Sequence, residues 1–231
     1  MKTIGILGGM GPEASLEYYN QFIARAKEDN PEGRYPEIVI YNLNFEDFCR
    51  PVSEGKHDQV IELLREKLTA LERAGADFAM MASNTPHLYF DRLASETSVP
   101  ILSIVESSAA EASRRGLDRV ALLGTDFTMN SDFYPEEFAR HGIEVVVPNE
   151  GNRQLVHDKI MNELVKGKFR ESTKNELIEV IHGLKEKEGI DGVVLGCTEL
   201  PLILSENDLE VSVLDTTRIH VEAGYEKALE G

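Results

Sequence analysis

Cys197 is the residue of this chain best placed to do chemistry. It stands in Gly196-Cys197-Thr198-Glu199, directly after the apolar run Val193-Val194-Leu195. The pattern reads as a strand end followed by a helix start. Free backbone N–H groups and the positive helix end would favour a thiolate there, lowering the thiol from its ordinary value of about 8.5. A second string, Met80-Met81-Ala82-Ser83-Asn84-Thr85, has a hydroxyl at the equivalent place, Ser83 lying 114 positions before Cys197. Asn84, Thr85 and Thr198 beside them offer side-chain and main-chain donors that suit a carboxylate. The same residue types also serve as caps and Asx turns. Two reactive side chains related by a pseudo-twofold axis would face a bound carbon from opposite sides. Taking a proton from one face and returning one to the other inverts a stereocentre α to a carboxylate. Cys49, in a polar segment without a repeat partner, reads as structural.

Both strings need strands to carry them. Thr3 to Leu7, Pro36 to Tyr41, Phe78 to Met81 and a stretch of Ile101, Leu102, Ile104 and Val105 read as four strands. Val120 to Leu123, Glu144 to Val147, Val193 to Leu195 and Val211 to Leu214 read as four more. Between them fall helical patterns: one from about Ala14, and one through Val60, Ile61, Leu64, Leu68 and Leu71 that Gly75 is placed to cap. A helix around Pro135 to His141, a stretch from Arg153 to Glu188 broken near Gly167-Lys168, and a closing helix from Thr217 to Leu229 complete the set. Strands alternating with helices of this length predict βαβ units, an α/β fold with parallel sheets. The string Leu7-Gly8-Gly9 recurs as Leu123-Gly124-Thr125, with Gly124 lying 116 positions after Gly8. Two landmarks with nearly one offset predict two similar α/β halves, residues 1–98 plus 217–231 and residues 99–216. Ligands of open α/β sheets bind beyond the carboxyl ends of strands. A cleft between the halves, lined by the matching loops, is the expected site.

Composition narrows the partners. The 24 Lys and Arg stand against 41 Asp and Glu, a formal charge of −17 that repels nucleic acid and anionic membrane. The two cysteines, Cys49 and Cys197, show no CxxC or Cys/His spacing, which argues against a disulfide framework or a zinc site. No apolar run is long enough to span a membrane, and Met1-Lys2 leads straight into a core strand, so a cytoplasmic address is expected. Gly9-Met10-Gly11-Pro12-Glu13-Ala14 fits G-x-G-x-x-A after a strand. The second strand nevertheless ends in Tyr41-Asn42 where a dinucleotide site wants an acidic residue, and Pro12 removes an N–H from the turn. His87 reads as a structural hydrogen-bonder.

Ile4-Gly5-Ile6-Leu7-Gly8-Gly9-Met10-Gly11-Pro12 resembles the opening of the aspartate/glutamate racemase superfamily. Ser83-Asn84-Thr85-Pro86-His87 and Gly196-Cys197-Thr198-Glu199-Leu200 resemble its two catalytic loops, and Leu122-Leu123-Gly124-Thr125 and Asp215-Thr216-Thr217 are similar to further family strings. Glu199 after Cys-Thr resembles the aspartate racemase branch, where glutamate racemases show His. The resemblance spans nearly the whole chain. It implies a racemase without pyridoxal phosphate, metal or other cofactor, commonly a homodimer, inverting an acidic amino acid with two cysteines as paired base and acid. Here Ser83 stands where the first cysteine is expected. Three readings of that serine are open: an engineered Cys→Ser change, a natural enzyme using a hydroxyl or water on that side, or a one-thiol relative such as the arylmalonate decarboxylase branch. A non-catalytic carboxylate-binding protein is the remaining alternative. The resemblance further implies α-carboxylate recognition by Asn84, Thr85 and Thr198. It implies recognition of a side-chain carboxylate by Arg50, in the loop from Asn44 to Gly55, and by Lys166. Met10, Thr125 and Thr128 are additional candidate contacts.

Overall fold

The computed structural model describes residues 1–30 and 32–230. The chain divides into two compact units, one of Met1–Ile104 together with the chain from His220 on, the other of Val105–Ile219. Among the described residues no helix is long and apolar enough to cross a membrane.

The first unit runs β1 (Ile4–Gly8), α1 (Pro12–Asp29), β2 (Ile38–Asn42), α2 (Phe45–Ser53), α3 (His57–Arg73), β3 (Phe78–Met81), α4 (Phe90–Glu96) and β4 (Ile101–Leu102). Its four strands are parallel in the order β2-β1-β3-β4. Alternate residues of a strand point to opposite faces, and here both faces are covered. Ile4, Ile6, Phe78 and Met80 pack with Tyr18 and Phe22 of α1 and with Val221 and Tyr225 near the C-terminus. Leu7, Ala79 and Met81 pack with Leu64, Leu68 and Leu71 of α3. Shortening one of these buried leucines to alanine costs roughly 2–5 kcal/mol. Gly75 ends α3 as expected. Its φ of +98° lets the Ala76 N–H reach the Leu71 carbonyl and its own N–H reach that of Glu72, the reciprocal bonds of a Schellman stop.

Two expectations need correction in this unit. The segment after Asn44 is a helix, α2, rather than a loop. The Asn44 side chain caps it by accepting the Glu46 N–H, and Phe48 and Val52, four apart, bury one face. Pro51 inside the helix concealed that pattern. The fourth strand stops at Leu102, and Ile104 opens α5 (Ile104–Arg114). Buried Ile104, Val105, Ser108, Ala109 and Ala112 recur at helical spacing, and that period prevails over the short β-branched run.

The second unit continues with β5 (Arg119–Gly124), α6 (Asp126–Met129), α7 (Phe133–Arg140), β6 (Glu144–Val146), α8 (Glu150–Asn162), α9 (Glu171–Glu188), β7 (Gly192–Gly196), β8 (Ser212–Asp215) and the start of α10 (Thr216–Leu229). The strands are again parallel, ordered β6-β5-β7-β8. This is the order of the first sheet with every number raised by four, so the repeat legible in the sequence is a repeat of topology. The break predicted near Gly167-Lys168 separates α8, followed by a 3-10 turn over Leu164–Lys166, from α9. Ala121, Leu123, Val193, Leu195 and Val213 pack on Val156, Ile160, Leu177 and Ile181 of those helices.

Candidate active site

In the first unit the turn after β3 holds Ser83, Asn84 and Thr85, the last opening a 3-10 turn over Thr85–Tyr89. Ser83 and Asn84 are buried. The Ser83 hydroxyl donates to the Met10 carbonyl at 3.0 Å. Met10 belongs to the turn after β1, whose shape depends on Gly9. That residue sits at φ +91°, and a Cβ on it would strike the Leu43 backbone. The Gly9 N–H donates to Ser15 Oγ at 2.8 Å, and Ser15 donates in turn to Asn42 Oδ1 at 2.8 Å. The glycine turn is thus closed by the chain's own side chains. The Met10 side chain is buried in the core with Leu43 and Phe48.

His87 fixes this turn from below. Its Nε2 lies 3.2 Å from the Ile104 N–H and must accept from it. The proton therefore sits on Nδ1, which donates to the Ser83 carbonyl at 3.0 Å. Burial holds the imidazole down to about 4, so it is neutral at physiological pH. The neighbouring His220, also fully buried, is held down to about 3 chiefly by burial, and it bonds Tyr18 Oη at 2.8 Å and the Leu102 carbonyl at 3.1 Å. His87 is thereby not available to remove the Ser83 hydroxyl proton, whose own acceptor is a backbone carbonyl.

In the second unit the turn after β7 holds Cys197, Thr198 and Glu199, all buried. Cys197 Sγ donates to Glu199 Oε2 at 2.9 Å, and Thr198 Oγ1 donates to the same oxygen at 3.0 Å. Glu199 Oε1 is buried without a hydrogen-bond partner. The expected lowering of the Cys197 thiol is corrected here. Burial, and then the Glu199 carboxylate beside it, push the thiol well above its ordinary value, and a backbone N–H contact opposes them only in part. The helix expected after Cys197 is only a three-residue 3-10 turn, Leu200–Leu202, too short to supply a dipole that would hold a thiolate. Cys197 therefore rests as a thiol, with its acceptor already in place.

Thr125 and Thr128 come after β5, their hydroxyls 3.2 Å apart, and β5 pairs with β7 through Gly124 and Gly196. This brings the Thr125 turn beside the Cys197 turn. Arg50 is exposed on α2, and Lys166 is exposed at the end of its 3-10 turn. Among the described residues neither side chain is bonded to the catalytic-loop turn of its own unit. Cys49, also on α2, is pushed up to about 11 by burial and by Glu46, as suits a structural thiol. Among the described residues no group of three or more His, Cys, Asp or Glu could hold a metal ion. The residue that the geometry adds to the sequence-based set is Glu199. An acid two residues from a cysteine, in an otherwise apolar segment, is the signal that could have found it.

The model of the family described as Asp/Glu/Hydantoin racemase matches residues 7–224. The chain belongs to that family. A crystal structure of an aspartate racemase homologue from Pyrococcus horikoshii OT3 is 40% identical, covers 99% of this chain and 100% of that one, and superposes with a TM-score of 0.87. The broad specificity amino-acid racemase RacX of Bacillus subtilis (strain 168) is 24% identical over 93% of this chain and 92% of its own. A glutamate racemase of Aquifex aeolicus (strain VF5) is 28% identical over 80% of this chain and 71% of its own. Family membership sets this chain among racemases, and the α/β architecture with two similar units is that of its racemase relatives.

Proposed function

We propose that this chain is a cofactor-independent amino-acid racemase for acidic amino acids, aspartate before glutamate, in which Cys197 is the competent base. The observation that carries the reading is the 2.9 Å bond from the Cys197 thiol to Glu199 Oε2. A buried thiolate and a buried carboxylate in contact cannot both be charged, so the pair holds at least one proton, and it works as a base in the state that holds one. When Glu199 takes it, Cys197 becomes a thiolate and removes the α-hydrogen. The electron pair left on the α-carbon delocalises into the α-carboxylate, which Asn84, Thr85 and Thr198 are assigned to hold. Arg50 and Lys166 are assigned to the side-chain carboxylate, and Met10, Thr125 and Thr128 to further contacts. Return of a proton from the opposite face falls to position 83. The Ser83 hydroxyl keeps its proton and donates it to the Met10 carbonyl, which is no base, so that face is slow.

The test is incubation with L- and D-aspartate separately in deuterium oxide, monitoring loss of the α-proton. Exchange from one enantiomer well ahead of the other supports the reading, and no exchange from either refutes it. The lone thiol also favours a second reading, a one-cysteine decarboxylase of a malonate. Carbon dioxide released from a malonate, with no exchange on aspartate, would select it. A homodimer in the cytoplasm is the accompanying assignment.

A further inference from the structure

One oxygen of Glu199 faces the thiol, and the other is unexplained. Oε1 is buried and accepts nothing, while the two donors on Oε2 are a neutral thiol and a neutral hydroxyl. Glu199 makes no ion pair among the described residues. Leaving a buried acceptor unpaired costs roughly 1–3 kcal/mol, and more for a charged group. In the one-proton state the proposed reaction uses, the pair carries one negative charge in a buried place, whichever of Cys197 and Glu199 holds the proton. A charge so buried calls for a cation that also donates.

The substrate chemistry supplies one. For Cys197 Sγ to take an α-hydrogen it must come against the α-carbon, and in an α-amino acid that carbon also bears the ammonium. Oε1 shares its carboxyl group with the Oε2 that touches Sγ, so it is the unpartnered acceptor nearest in bonding to the atom set against that carbon. We infer that Glu199 Oε1 is the seat of the substrate's α-ammonium, so that the site selects a free α-amino acid over the same acid lacking a charged amine. This rests on the racemase reading. It makes Glu199 do two things at once: Oε2 receives the thiol proton, and Oε1 holds the cation that neutralises the pair and makes the α-hydrogen more acidic.

The experiment is calorimetric titration of the intact protein with L-aspartate, D-aspartate, succinate and N-acetyl-L-aspartate near neutral pH. Aspartate, in at least one enantiomer, should bind about tenfold or more tighter than succinate and N-acetyl-aspartate, because a site built around a polar group rejects the analogue lacking it. Glu199→Gln should bring the three ligands within about threefold of one another, since an amide offers the ammonium no charge. If that variant fails to fold, judged by circular dichroism, the wild-type panel decides by itself. Aspartate binding no tighter than succinate or N-acetyl-aspartate, including no binding of any of them, overturns the inference. So does a Glu199→Gln protein that keeps the wild-type ratio. Exchange in deuterium oxide is read on the same wild-type sample. A ligand preference without exchange leaves the ammonium seat standing and removes the racemase, whereas exchange without the preference does the reverse.

Discussion

The turn after β3 and the turn after β7 occupy equivalent places in two sheets of one topology, yet they treat a proton in opposite ways. After β7 the thiol points at a buried carboxylate, a group that can accept its proton and hand it back. After β3 the hydroxyl points at the Met10 carbonyl, a group that accepts its hydrogen bond but cannot take its proton. The residue two places on differs in the same sense. Glu199 is an acid with one oxygen free of partners, whereas Thr85 opens a 3-10 turn. Behind the first turn, His87 spends both ring nitrogens on backbone groups. On the proposed reading, the fold duplicates a scaffold and keeps proton-transfer chemistry in only one copy. The acceptor facing the reactive side chain decides which copy that is.

Removing the working copy gives the largest effect. Cys197→Ala should abolish α-proton exchange from aspartate, a loss of at least about a thousandfold, measured by proton NMR in deuterium oxide. Leaving the thiol and removing its acceptor comes next. Glu199→Gln should slow exchange by about a hundredfold or more, the range of a lost general base, with its circular dichroism spectrum unchanged. If that variant exchanged at the wild-type rate, Glu199 would not be the acceptor. Smaller again, Arg50→Ala and Lys166→Ala should each raise KM for aspartate about tenfold with kcat less affected, as for loss of uniform binding. An unchanged KM in either variant removes that cation from the site.

A separate contrast concerns stability. His87 and His220 are buried and neutral, held down to about 4 and about 3, against about 6.5 in an unfolded chain. Below pH 6.5 the unfolded chain binds more protons than the folded one, so stability falls as pH drops from about 6.5 towards 4. Both residues lie in the first unit. Its amides should lose hydrogen-exchange protection at pH 5 before those of the second unit, as native-state exchange read by mass spectrometry would show. Equal loss in the two units would contradict that origin.

The strands, their alternation with helices and the doubling of the pattern were legible because apolar periodicity is local and strong. Three features were not. Asn44 as a cap and Pro51 within α2 gave contrary signals, and the burial of Phe48 and Val52 decided for a helix. Ile104 and Val105 look like strand residues, and only the burial of Ser108, Ala109 and Ala112 behind them shows the helical period. The Cys197 thiol was expected to be acidic from its place after a strand. Burial and an adjacent carboxylate, which depend on tertiary packing and side-chain direction, reverse the sign. The types and spacing of Ser83, Cys197 and the threonines were open to reading in sequence; the acceptor each hydroxyl or thiol faces was not.

The ratio of deuterium incorporation to inversion, starting from a single enantiomer of aspartate, tests the central claim most directly. The wild-type protein should exchange the α-hydrogen of its preferred enantiomer many times for each inversion, because Cys197 returns a deuteron to the face it came from. Ser83→Cys should bring the ratio towards one by giving the opposite face an acid. A wild-type ratio already near one, unchanged by Ser83→Cys, would contradict the account, since the turn after β3 would then be moving protons without a thiol.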